Sequence, residues 1–533
     1  MNVRIEQVNW TRVATTMAAF LIAILLGIAI GAHDSYILTT DLHDYWVPIS
    51  IVLIVGLIGY VAFLQYYTWQ IAFLICYTGL VLRPVGFDFG PMEMTCGLGF
   101  VLALLTGWQR LPQQTTGILQ TGSFKLFRGL LLLSILYMSI HMIYNIYYPF
   151  KPSEFALKNA LKTYFASLAP LLLFWYFSAH PVSIRIKGNF MRTLGILLLV
   201  GIAFNLAITG YGILTHHNTA DPDSVDQMST FFIPLLNARE NPYMLRTLGP
   251  AAILLGATTL SLGSRATEVP KILSFLLILL GSIGSVLSGG RAAVTTSVVL
   301  VLATLLLVKR FRAFWSILFL TGILILFVNV FSDWINRKAP IPILRPLQWV
   351  MLSKNTIASE SIESSSRWRQ ELFQMAIEEW RSDPRIFWFG RATYGFGVND
   401  FVAYQISGGY KAAMEASLRR GATHNLLSDL LVTYGLVGCL IYYCLILGII
   451  RFLWSIYASH NLSSGLRSLA LFCLITYASY LLIATVAGGL FLPELIWLLV
   501  LLIAALHHYS ATQPSTDQNA VSTVGVSRAL MHN

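Results

Sequence analysis

Residues 288–294 read "SGGRAAV" and lie between two apolar runs, "ILSFLLILLGSIGSVL" and "VTTSVVLVLATLLLV". Arg291 therefore stands at the tip of a hairpin between two membrane-length segments. A guanidinium never deprotonates, so Arg291 is either an interfacial anchor or a permanent cation serving a site. His424 stands in "RRGATHN", where a polar stretch runs straight into another apolar segment. An imidazole titrates near ~6.5 and suits a general base. Its structural alternative is a helix-capping or hydrogen-bonded interfacial histidine. Between these two positions "SSSRWRQELFQMAIEEWRSDP" carries Arg367 and Arg369.

The elements that must position these side chains follow from pattern. "SSSRWRQELFQMAIEEWRSDP" reads as a helix, with serines as N-cap candidates and Pro384 as the stop. At about 100° per residue, Arg367 falls beside Glu371 and Glu378 on the charged face. An i,i+4 pair with Glu371 explains it. Arg369 falls beside Phe373, Ala376 and Trp380, on a side that should pack against something. The two arginines point nearly opposite ways, so only one looks into a site, and the pattern favours Arg369. The aromatic, glycine-rich "RIFWFGRATYGFG" that follows reads as a loop on the bilayer surface or lining a cleft. Its glycines do not follow a strand, so they carry no nucleotide-binding signature.

The chain has 533 residues, 56% of them hydrophobic and only 11% charged, which no soluble exterior could accommodate. Apolar runs of about 17–22 residues recur throughout, each able to cross a ~30 Å hydrocarbon core as a helix. The expected fold is an all-α polytopic membrane protein. About fourteen transmembrane helices (12–14) are expected by this reading, near 13–32, 46–65, 67–82, 91–108, 128–149, 157–178, 193–214, 247–262, 272–288, 292–308, 313–331, 426–450, 468–487 and 490–507. Residues 1–331 hold the first eleven helices, 332–424 form a large outer loop, and 425–509 hold the last three. The polar tail, 510–533, is expected to be disordered and cytoplasmic.

With the N-terminus inside, Arg4 and Arg12, Arg110, Lys125 and Arg128, Arg185, Lys187 and Arg192 all face the cytoplasm. So do Arg265, Lys271, Lys309, Arg310, Arg312, Arg451 and Arg467. Both termini are then cytoplasmic. Arg291 breaks this pattern on the outer side, and so does the 332–424 loop with its dozen basic residues. Loops of that length are exempt from the rule. The net charge of +11 thus reads as topology, and no basic domain points to nucleic acid. The five cysteines, Cys76, Cys96, Cys439, Cys444 and Cys473, lie in or at the ends of apolar spans without metal-ligand spacing. The outer stretch "HHNTADPDSVD" is the one candidate acidic cluster, and an ordinary polar loop explains it. His141 reads as a hydrogen-bonded residue within the helix bundle.

These segments together resemble the O-antigen ligase and polymerase superfamily of membrane glycosyltransferases. "SGGRAAV" is similar to that family's small-residue–Arg segment at an outer turn. "RQELFQMAIEEWRSDP" resembles its loop helix, in which an arginine precedes a proline by fifteen positions, here Arg369 and Pro384. "HNLLSDLLVTYGLVG" is similar to its His-Asn segment with a late glycine pair, Gly435 and Gly438. The resemblance covers roughly residues 240–450. The stretch "PRIFWFG" is longer than the compact proline–glycine segment of the family.

The resemblance implies a polyprenyl-diphosphate-linked glycan donor, of the undecaprenyl type, bound at the periplasmic face of a bacterial inner membrane. The acceptor is lipid A-core or another glycan, and surface polysaccharide is the product. Arg291 and Arg369, with Arg367 as the alternative, would bind the diphosphate and stabilise the leaving group. His424 would be the general base, so His424, Arg369 and Arg291 form the expected catalytic set. Diphosphate leaves readily, so neither a metal nor another cofactor is required. A ligase, a polymerase and a protein O-glycosyltransferase all fit this layout. A lipid-linked oligosaccharide transporter or flippase is the rival from another class. It predicts internal repeats and charges near the membrane midplane, and neither is found in the sequence.

Overall fold

A computed structural model describes residues 121–147, 190–215, 242–263, 269–288, 291–338, 346–353, 356–391 and 423–487. It also describes isolated positions within 164–175, 232–239, 267, 344, 410–418 and 499–506. The expected spans before residue 121 and the C-terminal tail lie outside the described residues. So do the "HHNTADPDSVD" stretch and most of the sixth and fourteenth spans.

The described chain is helical. We label its helices α1 (Gly122–Tyr147), α2 (Phe190–Thr215), α3 (Pro242–Leu262), α4 (Lys271–Leu287), α5 (Arg291–Leu307) and α6 (Phe311–Val330). These are followed by α7 (Ser332–Lys338), α8 (Thr356–Ser382), α9 (Pro384–Phe389), α10 (Leu426–Ala458) and α11 (Ser464–Ala487). One two-residue antiparallel pairing, Phe232–Ile233 with Ala238–Arg239, lies in the connection between α2 and α3. Helices α1, α3, α6, α10 and α11 include stretches long and apolar enough to cross a membrane, while α2, α4 and α5 are shorter apolar helices. These eight coincide with expected spans.

Burial separates their roles. Helix α3 is buried along most of its length, whereas α6 is exposed almost throughout despite a mean hydropathy of 2.3. An apolar surface of that extent is stable only against lipid. Helices α3 and α4 pack closely through small residues. A Cβ on Gly281 would lie 2.8 Å from the Gly249 carbonyl oxygen, and Thr259 Oγ1 meets Ser274 Oγ at 2.7 Å. Close backbone approach of this kind drives helix association where no hydrophobic effect operates. Helices α1 and α10 join through stacked rings of Phe127 and Phe452, with centroids 5.5 Å apart.

Two of the described basic residues expected on the cytoplasmic side bind helix ends. Arg310 Nε donates to the Ser261 carbonyl at 3.0 Å and Arg467 Nε to that of Tyr457 at 3.0 Å. Each supplies a cation to a helix C-terminus, where the dipole favours it.

The large loop is more helical than its pattern predicts. Helix α8 begins at Thr356, so Ser364, Ser365 and Ser366 lie inside it and cap nothing. Serine costs little inside a water-exposed helix, and the hydroxyl pattern alone does not fix a start. The stop before Pro384 holds. The "RIFWFG" stretch then opens as α9, not as a loop: Asp383 is its N-cap, accepting from the Arg385 amide at 2.7 Å, with Pro384 at the first helical position.

Candidate functional site

Three parts of the structure carry the expected site residues. The first is the α4–α5 turn. Arg291 is the first residue of α5 and is half-buried, with its guanidinium carbon over the Trp349 ring at 5.6 Å from the centroid. The turn is braced by Arg246 of α3, whose Nε donates to the Ser288 carbonyl at 3.2 Å. Sequence reasoning does not single out Arg246. The signal that could find it is an arginine within the first turns of an apolar helix, α3.

The second part is α8. Its apolar side, with Leu372 and Ala376 fully buried, packs against Met414, Leu418 and Val432. Arg369 is half-buried on the flank of that side. Arg367 is 67% exposed and pairs with Glu363, at 3.2 Å, and not with Glu371. The earlier start of the helix supplies a carboxylate one turn before Arg367, while the Tyr410 hydroxyl bonds to Glu371.

The third part is the start of α10. Asn425 is its N-cap, accepting from the amides of Leu427 and Ser428. His424 therefore lies just outside the helix, with φ at 56°. This left-handed conformation costs a residue with a Cβ about 1–2 kcal/mol, so the surroundings must impose it. Thr423 holds one side of it: its amide and its hydroxyl both donate to Asp429 Oδ1, each at 2.6 Å, and Asp429 is buried. On the other side the His424 ring meets the Trp368 ring edge-on, with centroids 5.0 Å apart. Trp368 is the sequence neighbour of both Arg367 and Arg369, so α8 is pinned to His424 directly.

Beneath this layer α10 is broken. Gly435 has φ 67° and ψ −175° inside an otherwise continuous 33-residue helix. The backbone groups released by the break find new partners. The Arg391 amide donates to the Val432 carbonyl at 2.8 Å, and Tyr137 of α1 donates its hydroxyl to the Tyr434 carbonyl. Within a membrane, irregular backbone is tolerated only where such partners exist. Gly390, also left-handed with φ 72°, lies against the break. The Arg391 side chain is buried, ion-paired with Glu379 of α8, and donates to the Leu418 carbonyl at 3.1 Å. His141 of α1 is hydrogen-bonded at both ring nitrogens, as its position in the bundle predicts. Nε2 meets the Phe389 carbonyl at 2.6 Å and Nδ1 the Tyr164 hydroxyl at 2.5 Å. A carbonyl can only accept, so Nε2 carries a proton.

Residues 275–443 match the O-antigen ligase family. That stretch is similar to an O-antigen ligase domain. It runs from α4 to the middle of α10 and contains Arg291, Arg367, Arg369, His424 and the Gly435–Gly438 pair. The match spans the three motifs by which the sequence resembles the O-antigen ligase and polymerase superfamily. No curated protein matches the chain significantly.

Within the matched stretch the contacts join His424 to α8 through Trp368. They join Arg291 to the loop through Trp349. Helix α11 packs on α5, and its Thr485 carbonyl accepts from Asn425 Nδ2 at 3.1 Å. Arg291 and His424 each lie beside a tryptophan of the same loop, Trp349 and Trp368. Among the described residues no group of three His, Cys, Asp or Glu side chains has the geometry of a metal site.

Proposed function

We propose that this protein is a membrane glycosyltransferase of the O-antigen ligase/polymerase type, working at the periplasmic face of a bacterial inner membrane. Its donor is a glycan on a polyprenyl diphosphate, of the undecaprenyl type. Its acceptor is a hydroxyl of lipid A-core or of another glycan. The observation that supports this reading is the match of residues 275–443 to the O-antigen ligase family, a stretch that contains Arg291, Arg369 and His424.

The chemistry follows from those side chains. The acceptor oxygen attacks the anomeric carbon from the face opposite the phosphate, and the carbon–oxygen bond to the diphosphate breaks with inversion. His424 takes the acceptor proton as the new glycosidic bond forms. The lipid diphosphate departs with the bonding electron pair. Arg291 and Arg369 stabilise the charge growing on it through guanidinium donors that match phosphate oxygens in pairs. Arg367, being exposed and paired with Glu363, fits this role less well than Arg369.

The test uses Arg291→Ala and His424→Ala in cells lacking the chromosomal copy, with lipid-linked glycan and surface polysaccharide measured together. Loss of surface polysaccharide with accumulation of lipid-linked glycan on the periplasmic leaflet is expected. Wild-type surface glycan at normal expression from both variants overturns the assignment. Accumulation confined to the cytoplasmic leaflet points to a flippase. Band patterns then separate the acceptors: single repeats on the core mean a lost polymerase, and unattached long chains a lost ligase.

A further inference from the structure

Trp349 is 64% exposed, yet the segment that carries it is built to hold it still. Residues 346–350 are helical and turn, and the amides of Gln348 and Met351 donate to the carbonyls of Leu344 and Leu347. Leu344 and Met351 point inward against Val328 and Ile335. Asn329, near the end of α6, grips the strand of chain on both sides of Met351. Its Nδ2 donates to the Val350 carbonyl and its Oδ1 accepts from the Leu352 amide, both at 2.7 Å. Gln348 Nε2 donates to Asn336 Oδ1 at 3.1 Å, and Asn336 Nδ2 donates to the Ser353 carbonyl at 3.1 Å. An indole that only anchors a protein at the bilayer interface requires no such bracing. Here the bracing turns one ring toward one arginine.

The chemistry of that contact is specific. An aromatic face attracts a guanidinium through its quadrupole and carries no net charge. It can therefore orient a cation without cancelling it, as a carboxylate would. A cation meant for a diphosphate needs both properties: a fixed position and an intact charge.

We infer that Trp349 is a positioning residue, its ring holding the Arg291 guanidinium at the outer mouth of α5 for the lipid diphosphate, with Asn329 fixing the turn that presents it. This rests on the proposed function, because it takes the diphosphate as the anion that Arg291 meets.

The experiment measures binding of undecaprenyl diphosphate to the full-length protein in nanodiscs, with thermal unfolding of each variant alongside. Trp349→Leu keeps apolar bulk and loses the π face. It should weaken binding about 3- to 30-fold, the span of a partly desolvated cation–π contact. Trp349→Phe, which keeps a ring, should lose less than about threefold. Asn329→Ala should resemble Trp349→Leu, and Trp349→Leu added to Arg291→Ala should weaken binding no further than Arg291→Ala alone. Wild-type binding by Trp349→Leu while Arg291→Ala binds weakly overturns this inference and leaves the proposed function standing. Weakening that adds in full to that of Arg291→Ala, or a lower unfolding temperature with unchanged binding, also overturns it. Wild-type binding by Arg291→Ala overturns both.

Discussion

Gly390 and Gly435 fill the space that each other's side chains would need. A Cβ on Gly390 would collide with the Thr433 carbonyl oxygen and the Gly435 amide, and one on Gly435 with the amides of Phe389 and Gly390. Both residues are left-handed, with φ of 72° and 67°. The collisions are with backbone, which cannot swing aside as a side-chain tip can. Gly390→Ala and Gly435→Ala should each cost about 2–4 kcal/mol, from the left-handed conformation and the displaced backbone together. Thermal unfolding in detergent reads this directly. An unchanged midpoint for either variant would show that the two segments do not interlock.

Arg391 and Glu379 form a largely buried ion pair that ties α8 to the break in α10. Removing one partner leaves the other charged and desolvated. Arg391→Ala should destabilise by about 3–5 kcal/mol. Glu379→Gln should cost less, because its amide oxygen still accepts from the guanidinium. Equal melting temperatures for the two variants would contradict this ordering.

Asp429 acts on His424 through Thr423. Asp429→Ala strands the Thr423 amide without its acceptor, a loss of about 1–3 kcal/mol for a buried donor. The larger effect should be on transfer, since the left-handed His424 loses its anchor. Asp429→Asn retains an acceptor oxygen and should keep part of the activity. Surface polysaccharide measured at matched expression compares the two, and full transfer by Asp429→Ala would remove Asp429 from the site.

His424→Asn separates conformation from chemistry. Asparagine tolerates the left-handed region, so unfolding should shift by less than about 0.5 kcal/mol. An amide cannot take up the acceptor proton, so transfer should be lost. Retained transfer with unchanged stability would mean that His424 is only structural.

Arg367 and Arg369 should behave differently although two positions apart. Arg367 lies in an exposed i,i+4 pair with Glu363, and Arg367→Ala should change stability by less than about 0.5 kcal/mol and leave transfer intact. Arg369→Ala should lower transfer about 100-fold or more if its charge stabilises the leaving group. In vitro turnover of lipid-linked glycan discriminates them, and the reverse order would exchange their roles.

The parts of this fold that were legible in sequence are those that depend on period and composition. Eight apolar runs became the helices expected of them, and the helical projection separated a half-buried Arg369 from an exposed Arg367. What was not legible depends on contacts between distant segments. Nothing in "RIFWFG" announces that Gly390 will fit a break in a later helix, although Gly435 was visible as half of a glycine pair. The Glu363 partner of Arg367 was hidden because three serines looked like a helix start. The left-handed His424 and the bracing of Trp349 by Asn329 depend on side-chain networks that no local pattern encodes.

The Gly390–Gly435 contact also orders events during biosynthesis. The chain emerges from its N-terminus, so Gly390 is made before α10 exists to receive it. The aromatic residues Trp388 and Phe389, each 50% exposed even in the finished fold, must wait at the membrane surface without their partner. Only when α10 enters the bilayer do the Val432 and Tyr434 carbonyls become available to Arg391 and Tyr137. A chain truncated before Gly435 would therefore carry Gly390 without the backbone it fits against.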